Sequence, residues 1–97
     1  MKVFVEKIYY QGELNENGLR DGRGVTISPG TGLYIEYWKN GMRHGPCVII
    51  RSDGDKDVVN FDKNQLHGEC TYYYEDGEEE TYYYEHGKEV EYDYGEY

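Results

Sequence analysis

The 97-residue sequence predicts an all-β fold, an elongated single-layer antiparallel meander of about four stacked β-hairpin repeats. First, short motifs recur every 23 residues, as in Asn17-Gly18, Asn40-Gly41 and Lys63-Asn64, and we expect no insertion or deletion between copies. Second, glycine recurs every few residues and no apolar pattern keeps the period of a helix. Third, thirteen tyrosines supply large amphipathic side chains that can pack across a thin sheet.

Each copy is expected to contain a strand, a turn, a second strand and a second turn. The first copy is incomplete, with strands at 2–6 and 8–14 before the Asn17-Gly18 turn. In the second copy, aromatic and β-branched residues predict a strand at 34–39, and Asn40-Gly41 predicts a turn because both residues tolerate positive φ. Residues 42–46, with Pro46, are expected to bridge to a strand at 47–51.

The third and fourth copies repeat this order. Strands are expected at 58–62, 70–75 and 81–85, with a terminal strand near 89–94. Asp76-Gly77 and His86-Gly87 are the turns between the later strands. We expect one domain over 1–97, with units at roughly 1–33, 34–56, 57–79 and 80–97.

The second copy, residues 34–56, resembles the repeat of the MORN (membrane occupation and recognition nexus) family. The positions that match its motif are Tyr34, Trp38, Asn40-Gly41, His44-Gly45, Val48 and Asp53-Gly54. The copy departs from the motif where Glu36 replaces a usual glycine, and Cys47 and Cys70 replace the second glycine of a Gly-x-Gly pair. The resemblance covers roughly residues 8–90. It implies an array of hairpins used for protein contacts, dimerisation or lipid contact, and it implies no catalytic chemistry.

The charge is concentrated at one end of the sequence. Residues 1–68 hold nine acidic and nine basic side chains, whereas residues 69–97 hold eleven acidic side chains and one basic, Lys88. The second segment therefore carries the entire net charge of −10, and it also holds nine of the thirteen tyrosines. Because clustered like charges repel one another, we interpret this segment as a binding surface and not only as a solubilising or edge-protecting one.

The predicted partner is a protein with a basic surface. Phosphates would be repelled, so we expect no direct contact with nucleic acid or with an anionic membrane. Rows of carboxylates interleaved with tyrosines could instead imitate nucleic acid and inhibit a nucleic-acid-binding enzyme. The predicted partner-binding residues are Tyr72, Tyr74, Glu75, Asp76, Glu78, Glu79, Glu80, Tyr82, Tyr83, Glu85, Glu89, Glu91 and Asp93. The alternative is a scaffold that self-associates, for example as a homodimer, through the open edges of the meander.

Trp38, Phe61 and Tyr84 recur at the 23-residue offset. We expect them to form a packed spine that holds neighbouring hairpins together, although an aromatic binding groove is the alternative. Val48, Ile50 and Val58 are expected to share that packing role.

We expect no enzyme activity, no cofactor and no metal site. His44 and His67 are equivalent turn positions, and equivalent positions in successive hairpins should lie roughly 9.5 Å apart. The same spacing keeps Cys47 and Cys70 beyond the reach of a disulfide, so we predict free thiols in a reducing, cytoplasmic environment. The run from Asp53 to Asp57 lacks the glycine and glutamate of a calcium loop, and no serine has a positioned base.

Overall fold

A computed structural model describes residues 7–90, and these residues form one open antiparallel sheet in meander order, with no helix. Its strands are β1 (Tyr9–Leu14), β2 (Arg20–Ser28), β3 (Gly32–Lys39), β4 (Met42–Arg43), β5 (Gly45–Arg51), β6 (Lys56–Asp62), β7 (Gln65–Leu66), β8 (Gly68–Tyr73), β9 (Glu79–Glu85) and β10 (Lys88–Val90). The predicted fold class is confirmed. Within the same range there is no helix of the length and apolarity that a bilayer span requires. The predicted strand at 2–6 and the part of the terminal strand beyond Val90 lie outside the described residues.

Two-residue turns close three of the hairpins. Both turn residues have positive φ in Asn40-Gly41 (48° and 81°), Lys63-Asn64 (50° and 70°) and His86-Gly87 (49° and 87°). That backbone geometry matches the twist of the flanking strands, which is why these dipeptides occur where the chain reverses. The predicted turns at these positions are confirmed.

The expected bridge at 42–46 is wrong. Met42 and Arg43 form β4 and pair with the end of β3, and β5 begins at Gly45. Pro46 therefore lies in a strand, opposite Asn60 of β6. It follows the irregularity that separates β4 from β5, a position at which a strand tolerates the missing N–H of proline.

The first hairpin breaks the 23-residue period, so the expectation of no insertion is also wrong. Leu14 pairs with Arg20, and the register shifts between Gly12 and Leu14. In the second copy Trp38 pairs with Arg43, which places Leu14 and Trp38 in equivalent positions 24 residues apart. The longer connection is stabilised by Asn15, whose Oδ1 accepts hydrogen bonds from the backbone N–H groups of Asn17 (2.9 Å) and Leu19 (3.1 Å).

One face of the sheet, here called the inner face, holds the packed core. Its centre is formed by Cys47, Val59 and Cys70, which are almost fully buried. The half-buried side chains that pack against this centre are Tyr34, Ile49, Phe61, Leu66, Tyr72 and Tyr84. The cysteines, predicted to be free, are free in the structure and act as small apolar core residues.

The three repeated aromatic residues lie on this inner face opposite glycines. Trp38 pairs with Gly22, Phe61 with Gly45 and Tyr84 with Gly68. These glycines have φ values of 100°, 100° and 89°, a conformation that L side chains rarely adopt. Phe61 and Tyr84 pack against the core centre and Trp38 is buried, which supports the interpretation of these residues as a spine.

The packing role expected for Val48, Ile50 and Val58 is wrong. They lie on the opposite face, here called the outer face, where Ile50 is 41% and Val58 36% exposed. Side chains alternate between the two faces of a strand, so an error of one residue moves a whole set to the wrong side. Both faces carry aliphatic residues in this sheet, and the alternation alone does not tell which face is buried.

Candidate functional site

The acidic end of the sheet is built around the turn between β8 and β9. The N–H of Gly77 donates to the carbonyl of Tyr74 (2.9 Å), and the N–H of Tyr74 donates to the carbonyl of Glu78 (2.8 Å). Asp76 Oδ1 accepts from the N–H of Glu78 at 2.9 Å. These bonds fix the turn, so its carboxylates project from a defined backbone.

A neighbouring turn adds one more carboxylate. Asp55 Oδ1 accepts a hydrogen bond of 2.9 Å from the backbone N–H of Glu75, which joins the β5–β6 turn to the β8–β9 turn. The two turns enclose a shallow concavity of about 530 Å³. Its lining residues, here called the acidic rim, are Asp55, Tyr74, Glu75, Asp76, Glu78 and Glu80. No ion pair among residues 7–90 involves a carboxylate of the rim.

Two phenols donate hydrogen bonds to Glu80 in the rim. Tyr82 Oη donates to Glu80 Oε2, and Tyr74 forms a second hydrogen bond with the same carboxylate. Both bonds favour the charged form and lower the pKa of Glu80 below its ordinary value. The bond to Glu80 raises the pKa of Tyr82 to about 12, and it also raises the pKa of Tyr74. At neutral pH these phenols therefore stay protonated beside an ionised carboxylate.

The predicted partner-binding residues do not share one face. Glu80 and Tyr82 lie on the inner face, with Tyr72, whereas Glu79, Tyr83 and Glu85 lie on the outer face. Tyr74, Glu75, Asp76 and Glu78 lie in the turn, and Glu89 lies in β10. Glu91 and Asp93 lie outside the described residues. The structure thus gathers the turn residues and Glu80 into the rim, with Tyr82 bonded to Glu80, and Tyr72, Glu79, Tyr83, Glu85 and Glu89 do not line this concavity.

Tyr72 belongs to the packing and not to the rim. Its ring centroid lies 5.6 Å from that of Tyr82, and its hydroxyl lies 3.5 Å from the hydroxyl of Tyr84. Burial is the main cause of its raised pKa. Asp55, in contrast, is a rim residue that the sequence analysis missed. The repeat could have identified Asp55, because it stands one 23-residue period before Glu78, which was a predicted partner-binding residue.

A second polar cluster lies near the hairpin tips, where the sequence analysis expected no metal site. Asp62, His67 and His86 place one potential ligand atom each within 4.8 Å of one another. Asp62 Oδ1 also lies 3.4 Å from His44 Nδ1. The expected separation of roughly 9.5 Å applied to His44 and His67 only. It did not take account of His86, which stands one 23-residue period after Lys63.

The inner face also holds two buried carboxylates paired with arginines. Glu36 is bonded by Arg43 at 2.8 Å and by the hydroxyl of Thr26. Asp57 is bonded by Arg51 through Nε at 2.8 Å and Nη2 at 2.5 Å. Both carboxylates are satisfied by partners within the fold, so we assign them structural roles.

Comparisons with known proteins agree with this architecture. A family model described as MORN repeat matches residues 10–31, 37–56 and 60–79. The chain is also similar, at 32% identity over 56 residues, to a Plasmodium berghei (strain Anka) protein named "Inactive protein tyrosine kinase pTKL". The matched region covers 58% of this chain and 4% of that protein, so the chain spans only a small part of this relative. With most of its repeat array matched, the chain belongs to the MORN repeat family, whose repeats indicate a protein-interaction or scaffolding module.

Proposed function

We propose that this chain is a non-catalytic protein-interaction module whose acidic rim docks on a basic surface of another protein. The observation that carries the proposal is the convergence of five carboxylates, from two turns and β9, on one concavity. Hydrogen bonds hold both turns in place, so the rim is organised before a partner arrives. Within the described range, no cation of this chain neutralises it.

The charge density explains why a basic partner fits best. Like charges confined to one surface repel one another, and a cationic partner relieves that repulsion. Opposite potentials also steer two proteins together and speed association, an effect that salt screens. Tyr74 adds an amphipathic aromatic side chain of the type that is enriched at the energetic centre of interfaces.

A finer form of the proposal is that the module inhibits a nucleic-acid-binding protein by occupying its nucleic-acid site. Glu78, at the end of the turn, and Glu80, in β9, are two residues apart, a separation of about 6.6 Å in extended chain, so they form a row of negative charges as the phosphates of a nucleic acid do. Phenol rings beside them offer stacking faces. The buried free thiols of Cys47 and Cys70 favour a reducing compartment, and we propose a cytoplasmic location.

The test compares two triple variants that change the net charge equally. The rim variant carries Glu75→Gln, Glu78→Gln and Glu80→Gln, and the matched control carries Glu69→Gln, Glu85→Gln and Glu89→Gln, outside the concavity. Each chain is immobilised and exposed to the heparin-binding protein fraction of the host, and retention is measured at low and at high salt. We expect the wild type and the control to retain basic proteins at low salt only, and the rim variant to lose them. Equal retention by both variants would contradict rim docking.

A separate competition experiment tests whether the module occupies a nucleic-acid site. Duplex DNA is added to the captured complexes, and the release of the chain from its partner is measured. If the rim occupies a nucleic-acid site, DNA and the chain compete. Rim-dependent, salt-sensitive binding that DNA leaves intact would reject mimicry while supporting the coarser proposal.

The outer face favours a second candidate, a self-associating scaffold. Val25, Ile27, Ile35 and Ile50 lie on adjacent strands β2, β3 and β5 and are 37% to 49% exposed. Monomeric proteins seldom leave a large contiguous apolar patch in water, and the occupant in this candidate is the same face of a second chain. Light scattering after size exclusion decides between the candidates, with Ile35→Lys as the variant and Leu19→Lys as the control, because Leu19 is 44% exposed and lies in the β1–β2 connection. A dimer that Ile35→Lys dissociates supports the scaffold, and a monomer at all concentrations rejects it.

A further inference from the structure

We propose that Asp62, His67 and His86 form a binding site for a divalent transition-metal ion, with Zn²⁺ as the best fit. Their potential ligand atoms all lie within 4.8 Å of one another. Asp62 Oδ2 lies 4.0 Å from His86 Nδ1, and the rings of His67 and His86 have centroids 4.7 Å apart.

The fold builds this cluster from two successive repeats. Asp62 is the last residue of β6, and His67 lies between β7 and β8. His86 opens the turn between β9 and β10, with a φ of 49°. The backbone N–H of Gly87 donates to the carbonyl of Leu66 at 2.8 Å, which ties this turn to the neighbouring hairpin beside His67. The tie brings the two imidazoles together although 19 residues separate them in sequence.

The donor set selects the kind of ion. Two imidazoles and one carboxylate form a three-ligand set typical of zinc sites that keep a fourth position for water or another ligand. Imidazole nitrogen suits Zn²⁺, Cu²⁺ and Ni²⁺, whereas Ca²⁺ and Mg²⁺ prefer oxygen ligands only. The acidic rim, with oxygen ligands alone, has the opposite preference.

The cluster must contract to hold the ion. Bonds of about 2.1 Å in a tetrahedral site place ligand atoms roughly 3.4 Å apart. The required movement is therefore on the order of 1 Å, starting from a largest separation of 4.8 Å. His86 can supply it, because its side chain is 62% exposed and no core residue packs around it.

One hydrogen bond of the cluster must be replaced when the ion binds. His67 Nδ1 accepts a bond of 3.1 Å from the backbone N–H of His86, so this nitrogen carries its lone pair towards that N–H, and an ion that binds Nδ1 displaces the bond. The other carboxylate oxygen of Asp62, Oδ1, lies 3.4 Å from His44 Nδ1. His44 thus acts as a positioning residue that orients Asp62, in the manner of outer partners at metal sites.

The experiment uses the full chain with any histidine tag removed. Zn²⁺ is titrated by calorimetry against a competing chelator, and Co²⁺ is added separately to record its visible absorption. We expect one saturable Zn²⁺ site per chain, a tetrahedral Co²⁺ spectrum without thiolate bands, and no Ca²⁺ binding that His86→Gln weakens. His67→Gln and His86→Gln should each weaken Zn²⁺ binding at least tenfold, and His44→Gln should weaken it 10- to 100-fold.

Two controls keep the test decisive. The exposed position of His86 makes His86→Gln the variant that preserves the fold, which thermal unfolding without metal verifies. The rim variant with Glu75→Gln, Glu78→Gln and Glu80→Gln should keep full Zn²⁺ affinity, so this proposal and rim docking can fail independently. The metal site is overturned if Zn²⁺ binding is unsaturable, or if His86→Gln binds as tightly as the wild type.

Discussion

Arg43 Nε donates a hydrogen bond of 2.8 Å to the carboxylate of Glu36, a residue that is only 1% exposed. The guanidinium carbon also lies 4.9 Å from the centroid of the Trp38 ring. One arginine therefore neutralises a buried carboxylate and covers the aromatic spine. Val59 stands one 23-residue period after Glu36 in the third copy, so this pair belongs to the second copy and is not repeated in the third.

The first prediction follows from this pair. Arg43→Leu leaves the Glu36 carboxylate buried without its cation, and we expect the free energy of unfolding to fall by about 3–5 kcal/mol. The control is Arg23→Leu, because Arg23 is 76% exposed and pairs loosely with Glu13 at 3.5 Å, so its loss should cost about 0–1 kcal/mol. Urea unfolding measures both. Equal losses for the two variants would show that the buried pair does not act as described.

The second prediction concerns the glycines beneath the Tyr10 ring. A Cβ atom at Gly24 would lie 2.5 Å from Tyr10 Cε1, so Gly24→Ala should destabilise the fold by about 1–3 kcal/mol through overpacking. In a Tyr10→Ala background the same substitution should cost far less. At Gly12, however, a Cβ would meet the backbone carbonyl oxygen of Arg23 at 2.6 Å as well as Tyr10 Oη, so Gly12→Ala should remain costly in the Tyr10→Ala background.

A double-mutant cycle in urea separates the two cases. A Gly24→Ala cost that is unchanged by Tyr10→Ala would contradict the ring contact. Tyr10 also lies beneath the Arg20 guanidinium at 4.2 Å, so the Tyr10→Ala background is itself expected to be less stable.

The third prediction concerns the two thiols. Burial raises the pKa of Cys47 to about 12 and also raises the pKa of Cys70, and both residues are at most 1% exposed. Because the thiolate is the reactive form, we expect neither thiol to be alkylated by iodoacetamide until the sheet unfolds. Mass spectrometry across a urea series measures this. Rapid modification of Cys47 in the native protein would contradict the packed inner face.

The raised pKa of Cys47 also predicts that the folded protein loses stability at alkaline pH. The pKa of Cys47 is higher in the folded protein than the ordinary value of 9.0, so the unfolded chain releases its proton first as the pH rises. Its contribution to stability is complete below about pH 9 and falls as the pH approaches 12. Cys47→Ala should flatten this part of the pH profile of unfolding, whereas the control Ser52→Ala should leave it unchanged.

The fourth prediction concerns Glu80. Hydrogen bonds from Tyr82 and Tyr74 lower its pKa, so Tyr82→Phe should raise the pKa of Glu80 towards its ordinary value of 4.5. The stabilising effect of these bonds is present above about pH 4.5 and is lost as the pH falls through the lowered pKa. NMR titration of the side-chain carboxyl carbon measures the shift, with Tyr9→Phe as a remote control. An unshifted Glu80 in Tyr82→Phe would contradict the bond.

The sequence predicted the strands and turns well because both depend on local chemistry. Asn40-Gly41 and His86-Gly87 form turns since their residues accept positive φ, and the structure has that backbone at both sites. The first hairpin was predicted less well. Asn17-Gly18 lies 23 residues before Asn40-Gly41, so the spacing of the turns gives no sign of the one-residue insertion that precedes it. The pairing of Leu14 with Arg20 shows the insertion.

The position of the functional groups was harder to predict. The segment 69–97 was recognised as acidic, but whether its residues bind a partner stays a prediction. Glu79 and Glu80 are neighbours in sequence and lie on opposite faces, while Asp55 joins Glu75 across two repeats. Side chains that are adjacent in sequence lie on opposite faces of a strand. Residues that are distant in sequence come together where neighbouring hairpins lie side by side in the sheet.

By itself, the sequence determined a MORN-type array of hairpins, because a repeated pattern of turn residues and strand formers specifies each hairpin locally. Only the tertiary structure decided which face became the core, placing Cys47 inside and Ile50 outside. It also decided that His67 and His86 meet beside Asp62. The physical reason is that a sheet brings residues together across strands, through backbone pairing and register, and composition and spacing along the chain do not encode those contacts directly.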